Sequence, residues 1–293
     1  MRIAVLGGAG RLGAWISRTL KKMDIEVVVS TPNPEKYSKI IQDLHVKAYA
    51  DNETAVTGAD GVIISVPLHE TIKVIKQVLP YLKPNSFIVE VSSIKKPVEE
   101  FIEEYGSLLR DRHISLLSAH PMFGPGAKSL RKKNIIIIPN TYNREIFEKT
   151  KKFLKSEGAN VVECTYKDHD LKIAFTLGLP HLLLMLFTAT ISILETPDEL
   201  DRYSGTTFKI LKTLSESLLS ESWELYSHIQ MDNTHTNKIL ELFKTQLNKL
   251  INIVENRDTE KFREFWESNV LKLKSNTNPE ESYRKIYKFL DKI

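Results

Sequence analysis

Met1-Arg2-Ile3-Ala4-Val5-Leu6-Gly7-Gly8-Ala9-Gly10-Arg11-Leu12-Gly13 opens the chain, and these thirteen residues decide the fold. Residues 2–7 are a short apolar run of the kind that forms a buried strand. Gly8, Gly10 and Gly13 follow at G-x-G-x-x-G spacing, and residues 14–23 then carry a helical pattern. Glycines so spaced let the chain turn sharply, bring its amides up to a pyrophosphate and pack the helix close against the strand. The fingerprint is informative because it sits between a strand and a helix. Gly8, Gly10, Arg11, Leu12 and Gly13 are therefore candidate cofactor-binding residues.

Outward from this start, Val- and Ile-rich runs recur at 25–30, 61–66, 86–91, 114–118, 134–138 and 160–164. Most are separated by amphipathic helical patterns such as residues 71–79 and 98–104, which predicts an α/β, doubly wound Rossmann-type dinucleotide-binding domain over residues 1–166. Its ligand should lie across the carboxyl ends of the strands. Beyond Cys164 the strand signals stop, and residues 167–293 predict an all-helical domain. Residues 234–256 and 258–274 have apolar positions at helical spacing, and Asn278-Pro279-Glu280-Glu281 has the form of an N-cap followed by Pro at the first helical position.

The end of the second strand bears on the cofactor. Val27-Val28-Val29 runs into Ser30-Thr31-Pro32-Asn33, without the acid that would hold the ribose hydroxyls of NAD. Its absence removes a repulsion against a 2′-phosphate, and Ser30 and Thr31, with Lys36 and Arg11, are candidate contacts. NAD or NADP is expected, with NADP favoured.

Composition narrows the function class. The 293 residues are 42% hydrophobic with a formal net charge of +4, and lysines alternate with acids along helix faces. That pattern favours solvated surfaces over a nucleic-acid groove. The single Cys164 rules out an intrachain disulfide and fits a reducing compartment. A strand starting at Arg2 leaves no room for a signal peptide, so a cytoplasmic location is expected. Residues 173–194 are uncharged, long enough to suggest a membrane span. Gly178, Pro180, His181 and several threonines interrupt them, without basic asymmetry at the flanks. A helix apolar all round is equally expected when buried between subunits, which predicts a homodimer and no membrane partner.

Ala119-His120-Pro121-Met122-Phe123-Gly124-Pro125 sets an imidazole beside a stiff Pro/Gly turn. Pro121 biases His120 towards extended geometry, and Gly124 and Pro125 bracket a bend, so the ring is held in place. Its proton affinity suits transfer near neutral pH. No His, Cys or carboxylate pattern completes a metal-ligand spacing, so no metal is expected.

Taken in order, seven motifs resemble the prephenate and arogenate dehydrogenases, in particular archaeal-type prephenate dehydrogenases. They are Gly8 to Gly13; Ser65-Val66-Pro67 after a strand; Ser92-Ser93-Ile94-Lys95; the His120-Pro121-Met122-Phe123-Gly124-Pro125 block; Asp168-His169-Asp170; Gly178-Leu179-Pro180-His181; and Leu225-Tyr226-Ser227-His228-Ile229-Gln230-Met231. The resemblance covers nearly the whole chain and implies a dinucleotide domain followed by a helical dimerisation domain. It implies oxidative decarboxylation of prephenate to 4-hydroxyphenylpyruvate on the route to tyrosine.

On that resemblance His120 is the base that takes the hydroxyl proton, and Ser93 positions both hydroxyl and histidine. Ser65, Val66 and Pro67 join the cofactor site, while His169 and His181 lie near the substrate. Two departures stand out: Gly178 occupies a place where many relatives have histidine, and Lys209 falls where a carboxylate-binding arginine is expected. Lysine supplies charge without a bidentate fork. Arg202 and Lys128 are alternative cations. Arogenate dehydrogenase and a non-catalytic nucleotide-sensing protein on the same fold are the alternative functions.

Overall fold

The protein was analysed as a computed structural model describing residues 1–139, 144–194 and 197–291. Its contacts divide it into two compact units, Met1–Ile173 and Ala174–Ile293.

In the first unit the order is β1 (Arg2–Leu6), α1 (Arg11–Lys21), β2 (Glu26–Ser30), α2 (Ser38–Leu44), β3 (Lys47–Tyr49), α3 (Asn52–Val56), β4 (Gly61–Ile64) and α4 (Thr71–Val78). It continues with β5 (Phe87–Glu90), α5 (Lys96–Asp111), β6 (Ser115–Pro121), β7 (Asn134–Ile138), α6 (Arg144–Ser156), β8 (Asn160–Glu163) and α7 (Tyr166–Ile173). The strands form one sheet in the order β3-β2-β1-β4-β5-β6-β7-β8. Only the β6–β7 pairing is antiparallel. This is the doubly wound Rossmann-type architecture that the opening residues imply.

The two faces of the sheet carry separate cores, which explains why β1 shows no polar alternation. Ala4 and Leu6 join one cluster with Val62, Ile75, Ile88, Phe101 and Leu116. Ile3 and Val5 join the other with Trp15, Val27, Val29, Leu117 and Phe147. A central parallel strand covered on both sides has to be apolar at every position. Strand β3 has no counterpart among the apolar runs. Lys47-Ala48-Tyr49 is too short and too polar to signal itself, yet it pairs in parallel register with Val28, Val29 and Ser30 at the sheet edge. Strand β6 runs three residues past the expected end at Ser118, because β7 pairs antiparallel with it through Pro121.

From sequence, residues 167–173 fall in the helical domain; the contacts place α7 with the first unit, packed on α5.

The second unit starts with a π-helical turn, Ala174–Gly178, and continues as α8 (Leu179–Ile191), α9 (Thr206–Leu218), α10 (Trp223–Met231), α11 (Thr236–Glu255), α12 (Thr259–Phe265) and α13 (Pro279–Leu290). Pro180 accounts for the wide turn, since it has no N–H to give and its ring would strike the carbonyl four residues earlier. The pattern at 258–274 predicts one helix; α12 instead gives way to a π turn at Trp266–Val270 and a 3₁₀ stretch at Leu271–Asn276. The N-cap at Asn278 forms as expected, its side chain accepting from the Glu281 amide at 3.1 Å with Pro279 next to it.

Tyr166–Ile191 is one helical run, long and apolar enough by composition to cross a membrane. Its most apolar window has mean hydropathy 1.7 and is only 17% buried. Leu183 and Leu186 on α8, and Leu240, Leu247, Ile251 and Val254 on α11, are exposed.

Candidate active site

At the carboxyl end of β1 the chain reverses through Gly7, whose φ of +73° is costly for any other residue. The Gly7 and Gly8 amides donate to the Ser30 carbonyl at 3.1 and 3.2 Å. A Cβ on Gly13 would lie 2.2 Å from the Gly7 oxygen, so α1 packs against the turn as only glycine permits. Gly10 caps α1 with no side-chain cap hydrogen bond. Ser65, Val66 and Pro67 follow β4 directly, and the Ser65 carbonyl lies against Gly7. Gly8, Gly10, Arg11, Leu12, Gly13 and Ser65 to Pro67 therefore converge at the adjacent ends of β1 and β4. A glycine cradle leading into a helix N-terminus fits a dinucleotide pyrophosphate.

Ser30 and Thr31 lie at the end of β2 but differ from the sequence-based expectation. Both are buried, at 1% and 4% exposure, and the Ser30 hydroxyl donates to Asn52 Oδ1 at 2.6 Å. A hydroxyl committed inward does not face a phosphate; Arg11 and Lys36 are both exposed.

Gly13→Ala is expected to weaken dinucleotide binding at least tenfold and destabilise the first unit by roughly 1–3 kcal/mol, since the methyl has no room. Fluorescence titration with NAD and NADP, beside urea unfolding, measures both. Unchanged affinity would break the link between this turn and the cofactor.

The chemistry-bearing side chains gather between β5, β6, α5 and α7. His120 is the penultimate residue of β6, opposite Ile136 in the antiparallel ladder, and the Met122 amide extends the pairing to the Asn134 carbonyl. The ladder thus holds the imidazole's backbone, where sequence suggests the Pro/Gly turn. Trp15 secures the following loop, donating its indole N–H to the Ala127 carbonyl at 2.6 Å and meeting Phe123 edge-on at 5.1 Å.

Glu90, Lys95, His120, His169 and Asp170 are none of them more than 4% exposed. Lys95 Nζ donates to Glu90 Oε1 and to the Ala119 carbonyl, each at 2.7 Å. Glu90 Oε2 accepts from the Ser92 amide at 2.8 Å and from its hydroxyl at 2.5 Å. Asp170 accepts from the Lys95 amide at 2.9 Å and the Lys96 amide at 3.0 Å, capping the start of α5. His120 Nδ1 lies 2.9 Å from His169 Nε2, and His169 Nδ1 lies 2.7 Å from Asp170 Oδ1.

Burial lowers the pKa of both imidazoles. His120 lies well below the usual histidine value, first from desolvation and then from the Lys95 and His169 charges. Desolvation also lowers His169, against the Asp170 hydrogen bond. Lys95 falls below the ordinary lysine range for the same reason, opposed by Glu90. A neutral imidazole near pH 7 is the form a general base requires.

Ser93 occupies the β5–α5 segment between the engaged residues Ser92 and Lys95, and no hydrogen bond of its hydroxyl is recorded among the described residues. His169, placed near substrate by the resemblance, has both ring nitrogens engaged by His120 and Asp170, so a direct substrate contact would cost one of these bonds.

In the second unit, His181 on α8 meets Tyr226 of α10 edge-on at 4.9 Å. Its Nδ1 is buried with no hydrogen-bond partner among the described residues, and desolvation lowers its pKa. The Gly178 carbonyl, in the π turn, accepts from Gln230 Nε2 at 2.8 Å. Lys209 and Arg202 are exposed there, as Lys128 is in the first unit.

Three participants were not singled out from sequence: Glu90, Lys95 and Asp170. Each left a trace. Glu90 is an acid ending an apolar strand, Lys95 stands within Ser92-Ser93-Ile94-Lys95, and Asp170 belongs to the Asp-His-Asp run.

A glycine turn of dinucleotide-binding form and a buried imidazole held neutral near pH 7 thus lie in the same sheet. Family models agree: the prephenate dehydrogenase nucleotide-binding domain matches residues 16–163, and the prephenate dehydrogenase dimerization domain matches residues 165–268. The chain belongs to the prephenate dehydrogenase family.

It is 30% identical over 265 residues to a probable arogenate/prephenate dehydrogenase of Methanocaldococcus jannaschii, covering 89% of this chain and 58% of that one. The chain spans about three-fifths of the length of the first curated relatives it matches. Among solved structures, prephenate dehydrogenase from A. aeolicus, in complex with hydroxyphenyl propionate and NAD+, superposes with a TM-score of 0.75 at 18% identity, over 94% of this chain and 98% of that one. Synechocystis arogenate dehydrogenase gives 0.68 at 18% identity, over 94% and 100%.

Proposed function

We propose that the chain is a prephenate dehydrogenase, converting prephenate to 4-hydroxyphenylpyruvate and carbon dioxide with NADP favoured over NAD. The observation that carries this reading is His120: buried, held neutral and fixed on β6 in the sheet that carries the glycine cradle. A bound dinucleotide would accept hydride from the ring carbon bearing the hydroxyl. His120 would take the hydroxyl proton as the carbonyl forms, Ser93 would orient the hydroxyl, and loss of the carboxylate would restore aromaticity. His181, with its unpartnered buried nitrogen, and Lys209 are the proposed carboxylate contacts, with Arg202 and Lys128 as alternatives.

A 2′-phosphate would be met by Arg11 and Lys36, since Ser30 is turned inward. The exposed leucines of α8 and α11 are proposed to be covered by a second copy of the chain, and the match to a dimerization-domain model supports a homodimer over a membrane span. A cytoplasmic location suits a single cysteine and a small-molecule substrate.

Steady-state kinetics with the four pairings of prephenate or arogenate with NAD or NADP test the reading. Higher kcat/KM is expected for prephenate, and for NADP by a smaller margin. Lys209→Ala should raise KM more than it lowers kcat if that residue only binds carboxylate. Preference for arogenate would move the assignment to arogenate dehydrogenase, and absence of any reduced nicotinamide would favour a nucleotide sensor. Light scattering is expected to give twice the chain mass.

A further inference from the structure

We propose that Asp170 and His169 form a proton relay behind His120, in which Asp170 fixes the nitrogen of each ring that carries the proton. The proposal rests on the reading of His120 as the base. It assigns roles to two residues that need not touch the substrate.

The argument starts at the carboxylate. An ionised carboxylate can only accept, so the 2.7 Å contact with Asp170 Oδ1 requires the proton on His169 Nδ1. A neutral His169 then presents a bare Nε2. At 2.9 Å, that atom accepts from His120 Nδ1, which leaves His120 Nε2 as a free lone pair. The chain of contacts therefore selects one nitrogen of His120 as the base.

The carboxylate is itself immobilised. Oδ1 also accepts the Lys95 amide and Oδ2 the Lys96 amide, so Asp170 ties the ring alignment to the segment just after Ser93. Depression of both imidazoles by burial keeps the pair neutral before reaction. The charged groups acting on the pair are Glu90 at the end of β5, Lys95 at the start of α5 and Asp170 on α7; Cys164 after β8 interacts with Lys95 and Asp170, not with either ring.

When the substrate hydroxyl gives its proton to His120 Nε2, the Nδ1 proton of His120 can pass to His169 Nε2. One proton enters and none leaves. The pair changes from two neutral rings, each protonated at Nδ1, to a His120 protonated at Nε2 and a His169 protonated at both nitrogens. The positive charge thereby rests beside Asp170, whereas on His120 it would face Lys95 without a carboxylate of its own.

The test pairs a spectrum with kinetics. In ¹⁵N–¹H correlation spectra of the substrate-free protein, both His120 and His169 are expected as Nδ1–H tautomers. Asp170→Asn can turn its amide N–H towards His169 Nδ1; it should reverse both tautomers and lower kcat by roughly two decades or more. The acid limb of its pH profile should move, and dinucleotide affinity should stay unchanged. Asp170→Glu should restore part of the rate. A wild-type His120 protonated at Nε2, or an Asp170→Asn protein with normal kcat and pH profile, would overturn the relay. If Asp170→Asn does not fold, the wild-type tautomers still decide. Correct tautomers with no turnover of prephenate or arogenate would instead sink the functional reading and leave the ring assignment standing.

Discussion

Replacing His120 with asparagine is expected to lower turnover by roughly two to four decades while leaving dinucleotide affinity close to normal. That loss corresponds to roughly 3–5 kcal/mol of barrier. Asparagine can still hydrogen-bond the substrate hydroxyl but cannot take its proton, so the loss falls on kcat, with little change in KM. Ser93→Ala should cost less, since a positioning hydroxyl is more easily replaced than a base. In the unmodified protein, burial and the Lys95 charge hold His120 well below the usual value of 6.5. The base is lost only when pH falls through that depressed value, so kcat/KM should stay flat through pH 6.5 and decline on the acid side of it. Near-normal turnover in His120→Asn at saturating substrate would remove the assigned mechanism.

Much of this was legible in the sequence, for identifiable reasons. Each long strand of the sheet announced itself because a strand covered on both faces must be apolar throughout, as Ile3 to Leu6 and Val27 to Val29 are. The short β3 did not, because an edge strand of three residues needs neither length nor apolarity. The cradle was visible because close backbone packing restricts Gly8 and Gly13 to one residue type, whereas Gly7, read as part of the strand, makes the turn itself. His120 was visible through its neighbours Pro121 and Gly124.

The supporting charges were not, and the reason is physical. Lys95 and Asp170 are separated by seventy-five residues, and only the packing of α7 on α5 brings their atoms within 2.9 Å. A lone buried lysine and a lone buried acid look alike in sequence to any solvated pair. The Ser30 hydroxyl was misjudged for a related reason: its partner Asn52 lies on α3, beyond the strand that sequence did not show.

The Glu90–Lys95 pair gives the largest expected effect on stability. Both side chains are essentially inaccessible, and the ammonium meets only the Glu90 carboxylate and the Ala119 carbonyl among recorded hydrogen bonds. Glu90→Leu would strand a cation that water cannot reach, at a cost of roughly 3–5 kcal/mol. Lys95→Met in the same chain removes that cation, so Glu90→Leu/Lys95→Met should recover most of the loss, leaving mainly the unpaired Ser92 amide and Ala119 carbonyl.

Urea unfolding of the three proteins measures this directly, with equal slopes showing that the unfolded states are comparable. The same variants separate stability from chemistry. Lys95 holds the carbonyl of the residue before His120, so it braces the base as well as the fold. The double variant should be stable yet slower than the natural protein, with its acid limb shifted upward in pH because the cation that depresses His120 is gone. A single variant costing less than about 1 kcal/mol would mean that water or a rearranged partner reaches Lys95. A double variant with an unmoved acid limb would mean that desolvation alone sets the proton affinity of His120.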